Sequence, residues 1–309
     1  MKKIIAVLLA VLMAFSVSAS ALAADTEDTS KPFENSEFFT SGDYTLHYRT
    51  YEPLVAVKQV MLLHGFGLST ASFEGLAEEY VKKGFRVVLV DLPNFGYSSR
   101  ENAKTNIVER EKLVSALIDE LGGKWVLGGH SMGGGVAVNV AIERQDKVTG
   151  LVLFAPQTSQ SQSPFVAAIM KSALVRTVFD LVIKYGTKSD MIMRMLVEMS
   201  FSDKEYANSY DVSRISAPLQ LDGTGAGMAI MASHAQGTSI EKFSELKMPI
   251  VIVTTSNDRV ANADNLNALT NSGAENLEVV NFSEGGHMYM EYAPESACEA
   301  TYKTILAAF

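Results

Sequence analysis

The residues best suited to chemistry lie in the segment Gly129-His130-Ser131-Met132-Gly133. A β-favouring run, Lys124 to Leu127, precedes this segment, and a helical pattern from Met132 to Arg144 follows it. A serine at the centre of G-x-S-x-G between a strand and a helix sits on a sharp turn that exposes its hydroxyl, and the flanking glycines relieve the crowding. The spacing therefore predicts Ser131 as a nucleophile; the alternative is a purely structural glycine turn.

A serine hydroxyl attacks efficiently only when a base takes its proton. The sequence has five histidines, and His287 follows the predicted strand Leu277 to Phe282 in a loop, where the carboxyl ends of strands gather in a parallel sheet. His47 is expected within a strand, and His64 ends a strand before a glycine loop. His130 lies beside the serine but is expected to face elsewhere on the turn, and His234 belongs to a helical segment. We predict His287 as the base.

The imidazole needs a carboxylate that fixes its tautomer and stabilises its protonated form. Asp258 follows the predicted strand Ile250 to Thr255 directly, whereas no acid occupies a comparable position after the strand Thr149 to Phe154. The order Ser131, Asp258, His287 differs from both common serine-protease orders. We predict Asp258 as the third catalytic residue; the alternative is that it caps the following helix.

An attacked carbonyl becomes an oxyanion that needs preorganised hydrogen-bond donors. The backbone N–H of Met132 is one predicted donor, because it follows the nucleophile at a helix N-terminus. The loop His64-Gly65-Phe66-Gly67 follows another predicted strand. We expect the second donor to be the Phe66 N–H.

The strands and helices that position these residues are predicted from an alternation of short β-rich runs with longer helical patterns. The predicted strands are Tyr44 to Tyr51, Gln59 to Leu63, Arg86 to Val90, Lys124 to Leu127, Thr149 to Phe154, Ile250 to Thr255 and Leu277 to Phe282, and the predicted helices include Phe73 to Lys83, Ile107 to Leu121 and Met132 to Arg144. Several of the strands are continuously apolar, as expected when both faces are covered. The pattern predicts an α/β fold with a mostly parallel, doubly wound sheet, formed by residues 38–156 and 238–309.

The alternation stops between residues 157 and 237, which we predict to be an inserted helical cap. Helical periodicity dominates in Phe165 to Tyr185, Ser189 to Met199 and Met228 to His234. The cap holds seven of the fourteen methionines: Met170, Met191, Met193, Met195, Met199, Met228 and Met231. Flexible thioethers suit a pocket for varied apolar shapes, so Met170 and Met195 are possible substrate contacts. The alternative is that they fill gaps in a small helical core.

The first residues have the three parts of a secretory signal. Met1-Lys2-Lys3 precedes the apolar run Ile4 to Phe15, and small residues lead to Ala21-Leu22-Ala23. We expect cleavage after Ala23, secretion, and an exposed tether over residues 24–37; the alternative is an uncleaved anchor. The residue directly after that site is Ala24 rather than cysteine, so neither a lipid anchor there nor a stable membrane anchor after cleavage is expected.

The charge and the cysteine count exclude other classes. Loss of Lys2 and Lys3 with the signal takes the formal charge from −9 to −11, so a nucleic-acid partner is not expected. Cys298 is the only cysteine, which rules out an intrachain disulfide, and we expect it to be half-buried in a helix. The sequence shows no ligand cluster for zinc, and neither a metal nor another cofactor is predicted.

These motifs together resemble the α/β-hydrolase family, in particular its capped lipase, esterase and C–C hydrolase branch. The resemblance covers about Phe38 to Phe309 and rests on His64-Gly65-Phe66-Gly67, Asp91-Leu92-Pro93-Asn94-Phe95-Gly96-Tyr97-Ser98, Gly129-His130-Ser131-Met132-Gly133-Gly134, Asn257-Asp258-Arg259-Val260, and Gly286-His287 through Glu291 and Pro294. It implies the triad and oxyanion roles given above and a structural role for Asp91. Asn94 stands where the family commonly has glycine, a departure that leaves the catalytic residues untouched.

The predicted activity is hydrolysis of a carboxylic ester through an acyl-enzyme on Ser131, with a small-molecule ester carrying an apolar acyl group as substrate. A serine nucleophile argues against the similar dehalogenases and epoxide hydrolases, which attack through a carboxylate. One triad could also cleave a thioester, lactone, amide or C–C bond. An acyltransferase or perhydrolase would use the same acyl-enzyme with another acceptor. A non-catalytic ligand-binding protein is a further alternative, although such a protein has no need of an intact triad.

Overall fold

The computed structural model describes residues 31–56, 58–102, 108–160, 164–234 and 236–309. The predicted signal peptide, residues 1–23, and the first part of the predicted tether lie outside these residues. In the described ranges, no helix is long and apolar enough to cross a membrane.

The chain alternates strands and helices in the predicted way. The strands are β1 (Ser36–Ser41), β2 (Tyr44–Tyr51), β3 (Lys58–Leu63), β4 (Phe85–Val90), β5 (Trp125–His130), β6 (Val148–Phe154), β7 (Ser159–Gln160), β8 (Gln236–Gly237), β9 (Ile250–Thr255) and β10 (Leu277–Phe282). A 3₁₀ turn covers Thr70–Phe73. The helices are α1 (Glu74–Lys82), α2 (Arg110–Leu121), α3 (Met132–Glu143), α4 (Pro164–Met170), α5 (Ala173–Gly186), α6 (Asp190–Phe201), α7 (Lys204–Ser209), α8 (Ser213–Leu219), α9 (Thr224–Ala232), α10 (Ile240–Phe243), α11 (Ala263–Thr270), α12 (Tyr289–Tyr292) and α13 (Pro294–Ala307).

One large sheet forms the centre of the fold, with the strand order β1-β2-β4-β3-β5-β6-β9-β10. The β1–β2 and β2–β4 pairs are antiparallel, and the pairs from β4 to β10 are parallel. Successive residues of the central strands enter opposite faces, so Met61 and Leu63 join one core cluster while Val60 and Leu62 join the other. The predicted doubly wound α/β-hydrolase architecture is confirmed. The carboxyl ends of β3, β5, β9 and β10 therefore meet at one edge.

Strand β5 extends further than the sequence pattern predicted. The predicted strand is Lys124 to Leu127 and the predicted turn begins at Gly129, but Gly128 and Gly129 pair with Leu62 and Leu63 of β3. A Cβ on Gly128 would lie 2.5 Å from a Leu62 methyl group, so the glycine admits close strand packing rather than ending the strand.

The N-terminal boundary also differs from the prediction. Ser36 and Glu37, placed in the exposed tether, form the start of β1. The Arg49 guanidinium lies 3.9 Å from the centre of the Phe33 ring, so that residue packs on the domain as well. An edge strand with mostly exposed side chains has little apolar alternation, which explains why the pattern missed β1.

The segment predicted as a cap, residues 157–237, contains helices α4 to α9. The predicted helix Phe165 to Tyr185 is two helices, because Ser172 is extended and forms the N-cap of α5. Helices α7 and α8 are too short to show a periodic pattern. Cys298 lies in α13 as expected, but it is fully buried rather than half-buried.

Candidate active site

Ser131 occupies the turn between β5 and α3 in a strained conformation. Its φ of 49° and ψ of −116° lie in a region that residues with a Cβ rarely adopt. Backbone hydrogen bonds hold the turn: the Ser131 N–H donates to Phe154 O at 2.9 Å, and the Ser131 carbonyl accepts from Gln157 N at 2.9 Å. The side chain is half-buried. The strain is therefore held in place by the sheet and the first turn of α3.

The glycines flanking the serine are required by close backbone contacts. A Cβ on Gly129 would lie 2.3 Å from Gly133 O, and a Cβ on Gly133 would lie 2.2 Å from Leu63 O. Both distances are far below contact distance. The G-x-S-x-G spacing thus reflects the packing of the turn against itself and against the end of β3.

The structure brings Asp258 and His287 together at the carboxyl ends of β9 and β10. Asp258 Oδ2 lies 2.7 Å from His287 Nδ1, and both side chains are nearly inaccessible to solvent. Asp258 Oδ1 accepts from the N–H groups of Val260 and Ala261 at 2.7 and 2.8 Å. Burial raises the pKa of the Asp258 carboxyl, but His287 and these N–H groups outweigh burial and lower the pKa below its usual range. The carboxylate is therefore ionised and directed at the imidazole.

The end of helix α6 holds both of these loops. The His287 N–H donates to Ser200 O at 2.6 Å, and the Ser202 hydroxyl donates to Asn257 O at 2.8 Å. Asn257 Oδ1 in turn accepts from Gly286 N at 2.9 Å. Sequence reasoning did not find Ser200 and Ser202, because nothing in the helical pattern of the cap shows where its last turn docks.

His130 faces the loop of His287. The two imidazole rings lie 4.5 Å apart between centroids, and His130 Nε2 lies 3.0 Å from the His287 carbonyl oxygen. Burial, together with the nearby His287, holds the pKa of His130 well below its usual range. A neutral His130 whose Nε2 carries the proton can donate to that carbonyl. His130 is therefore placed to fix the backbone of His287.

The loop after β3 passes beside Ser131. A Cβ on Gly65 would lie 3.3 Å from the Ser131 Cβ and 2.5 Å from His130 Nδ1. His64 Nε2 accepts the N–H of Leu92 at 2.9 Å, which leaves Nδ1 as the proton-bearing nitrogen, 2.7 Å from Gly65 O.

This contact fixes the Gly65–Phe66 peptide, whose N–H is the predicted Phe66 donor. The Phe66 ring is itself 44% exposed and packs edge-on against Phe95. Met132, the other predicted donor, begins α3 immediately after Ser131. Both predicted donors thus belong to backbone segments that border the serine.

The two cap methionines occupy different surroundings. Met170 is partly buried against the core cluster that includes Met132 and Met228, whereas Met195 is 45% exposed on α6. Their contact with a substrate stays a prediction.

A second Ser-His-Asp chain lies away from solvent at the antiparallel side of the sheet. His47 Nδ1 lies 2.7 Å from Asp91 Oδ2, and His47 Nε2 lies 2.8 Å from Ser36 Oγ. Asp91 also accepts the N–H groups of Thr70 and Tyr97, at 2.6 and 2.9 Å. All three members are buried. The arrangement gives Asp91 the structural role that the resemblance implied, since it holds the loops after β3 and β4.

Asn94 takes the left-handed conformation that glycine adopts easily, with φ of 77°. Its side-chain amide donates to Glu101 Oε2 at 2.6 Å and to Gly227 O in α9 at 3.1 Å. The asparagine thus adds a tie between the loop after β4 and the cap that a glycine could not make.

The sheet and its flanking helices have the architecture of an α/β hydrolase. A sequence model of the alpha/beta hydrolase fold matches residues 58–294. The chain belongs to the α/β-hydrolase fold family.

Several relatives and solved structures are similar to it. A pimeloyl-[acyl-carrier protein] methyl ester esterase of Legionella pneumophila (strain Corby) is 26% identical over 229 residues, 74% of this chain and 87% of that protein. The uncharacterised hydrolase YugF of Bacillus subtilis is 23% identical over 269 residues, 84% and 94% of the two chains. An esterase from Thermogutta terrifontis has a similar fold, with a TM-score of 0.68, 21% identity, and coverage of 85% of this chain and 94% of that one.

Proposed function

We propose that this protein is a secreted serine hydrolase that cleaves carboxylic esters through an acyl-enzyme on Ser131. The observation that carries the proposal is the 2.7 Å contact between Asp258 and His287, at the sheet edge where Ser131 occupies its strained turn. The methyl ester esterase among the relatives supports an ester substrate.

In the proposed reaction, His287 Nε2 takes the proton from Ser131 Oγ as the oxygen attacks the ester carbonyl. Asp258 holds the imidazole through Nδ1 and stabilises its charge. The N–H groups of Phe66 and Met132 donate hydrogen bonds to the oxyanion. Collapse of the tetrahedral intermediate breaks the C–O bond, and His287 returns the proton to the leaving alcohol. A water molecule, deprotonated by His287, then attacks the acyl-enzyme; the bond between the acyl carbon and Ser131 Oγ breaks, His287 returns the proton to Oγ, and the acid is released.

The proposed substrate is a small-molecule ester with an apolar acyl group, of medium chain length or aromatic. Its support is the apolar composition of the cap, including Met170 and Met195. Secretion is supported by the three-part segment that ends at Ala23. No part of the reaction requires a metal or another cofactor.

Covalent labelling tests the nucleophile. A fluorophosphonate probe is expected to label the wild-type chain and to leave Ser131→Ala unlabelled, while Ser244→Ala, which removes a partly exposed serine, is labelled normally. With p-nitrophenyl acyl esters, Asp258→Asn is expected to lower kcat by about 10⁴-fold, as loss of the orienting carboxylate does in such triads. Labelling of folded Ser131→Ala, or none of folded wild type, would refute the assignment.

A further inference from the structure

The outer side of the cap carries a row of exposed apolar side chains on α4 and α5. The six residues are between 37% and 74% exposed, although all are large and apolar: Phe165, Ile169, Leu174, Val178, Leu181 and Tyr185. We call these six residues the outer cap face. Helices α4 and α5 both pack on α9, so the face belongs to helices that are held from the other side.

The row on α5 is continuous. At about 100° per residue, Leu174, Val178, Leu181 and Tyr185 fall within an arc of about 60°. The buried Phe179 and Val182 lie beside this arc. The apolar surface of α5 formed by these six residues thus spans about 160°, wider than the stripe of about 100° that a helix needs to face a core. The arc of about 60° that holds Leu174, Val178, Leu181 and Tyr185 is the exposed part of that surface.

Basic side chains surround the outer cap face. Residues 164–188 carry Lys171, Arg176, Lys184 and Lys188 against one acid, Asp180, a net charge of +3 in a chain of net −9. Asp180 points inward, since its Oδ1 accepts the N–H groups of Gly225 and Ala226 at the start of α9.

Lys184 pairs with Asp222. Lys171 and Lys188 are exposed at the two ends of α5, and Lys188 Nζ lies 5.3 Å from the centre of the Tyr185 ring.

We propose that the outer cap face docks on an anionic lipid surface. An amphipathic helix with exposed apolar side chains and flanking lysines inserts its apolar face at the level of the headgroups, while the lysines contact acidic lipids. A second copy of the chain is the competing occupant. Pairing of this face with its own copy would oppose two positively charged patches, whereas acidic lipid complements them. Docking would place the cap at the boundary of the lipid, independently of which ester the enzyme cleaves.

A local probe tests the proposal in the full chain. Burial raises the pKa of the Cys298 thiol to about 11, and the side chain is inaccessible, so a thiol reagent will label an introduced cysteine selectively. Leu181→Cys is labelled with a nitrobenzoxadiazole fluorophore and titrated with vesicles of phosphatidylglycerol and phosphatidylcholine. We expect a saturable blue shift and rise in emission, which weaken at high salt. Val178→Cys gives a second position if Leu181→Cys does not fold.

Leu54→Cys is the matched control. Leu54 is fully exposed in the loop before β3, at the opposite edge of the sheet from Ser131, and its label is expected to stay in water. Adding Lys171→Gln and Lys188→Gln to Leu181→Cys should weaken vesicle affinity by about 30-fold, since each basic residue near such a surface contributes about fivefold.

Four results would overturn the proposal. They are no emission change at either cap position, an equal change at Leu54, equal affinity for pure phosphatidylcholine, and a change that grows with protein concentration without vesicles. The last result would identify a second copy as the occupant.

Discussion

The imidazole of His130 lies against that of His287, and its Nε2 is 3.0 Å from the His287 backbone carbonyl oxygen. On the other side of the same residue, the His287 N–H donates to Ser200 O. The proposed base is thus held at both ends of its backbone, by the residue next to the nucleophile and by the last turn of α6. His130 acts as a positioning residue, because it contacts the base and is itself deeply buried.

His130→Ala is therefore expected to lower kcat by roughly 10- to 100-fold, since a displacement of about 1 Å in a catalytic group has effects of that size. KM should change little, because the buried His130 is not among the proposed substrate contacts. His130→Gln keeps an N–H donor and should recover most of kcat. Steady-state kinetics on a p-nitrophenyl ester measures both. Equal kcat in wild type and His130→Ala would refute the positioning role.

Gly286→Ala is expected to displace His287. Gly286 has φ of 67°, and a Cβ there would lie 2.4 Å from Ser200 O. Gly273→Ala is the matched control, because Gly273 also has positive φ, 86°, but open space around it. Both variants should lose about 1–2 kcal/mol from backbone strain, and only Gly286→Ala should also lose kcat, by tenfold or more. Urea unfolding and steady-state kinetics separate the two effects; equal kcat values would show that the crowding at Gly286 has no catalytic consequence.

Asp91→Asn should destabilise the fold without changing the proposed catalytic residues. Burial raises the pKa of Asp91, but the hydrogen bond and charge of His47, with His64 and the Tyr97 N–H, lower the pKa below its usual range. An amide cannot accept from Thr70, Tyr97 and His47 together, so we expect a loss of about 3–5 kcal/mol in the free energy of unfolding.

Because the folded-state pKa of Asp91 is lowered, its contribution to stability is present above the unfolded-state pKa and is lost as pH falls through the folded-state value. Urea unfolding near neutral pH and in acid measures both effects. Asp119→Asn is the control, because that carboxylate is exposed on the surface beside Arg144. An equal, small effect of both substitutions would contradict the structural role of Asp91.

The sequence was sufficient for features that depend on chain order within the parallel sheet. Ser131, Asp258 and His287 each follow a strand, and parallel strands bring such positions to one edge whatever the details of packing. Their catalytic roles stay predictions. The packing of α6 against the two catalytic loops could not be predicted from chain order. The contacts of Ser200 and Ser202 with these loops depend on how α6 packs on the core. The direction of His130 depends on the loop that packs above it, and the edge strand β1 has too few buried residues to show a pattern.

Glu291 should make stability depend on pH. It lies four residues after His287, and its side chain is only 8% exposed. Tyr210 OH donates to its Oε1 at 2.8 Å and Arg214 Nε lies 3.4 Å from the same oxygen, while Oε2 is buried without a partner among the described residues. Burial raises the pKa of Glu291 from 4.5 to about 7, with Tyr210 and Arg214 opposing the change. The folded state therefore prefers the protonated acid.

Between the unfolded-state and folded-state pKa values the folded chain binds more protons, so the contribution of Glu291 to stability is greatest in acid and is lost as pH rises through about 7. The free energy of unfolding should lose at most about 3 kcal/mol from this group between about pH 5 and pH 8. Glu291→Gln, a neutral isostere of the protonated acid, should remove this part of the slope of the free energy of unfolding against pH. Glu295→Gln, a substitution of an exposed residue, should leave that slope unchanged. Urea midpoints at both pH values measure the slope. The same slope in Glu291→Gln as in wild type would mean that the pH dependence arises elsewhere, because the glutamine cannot titrate.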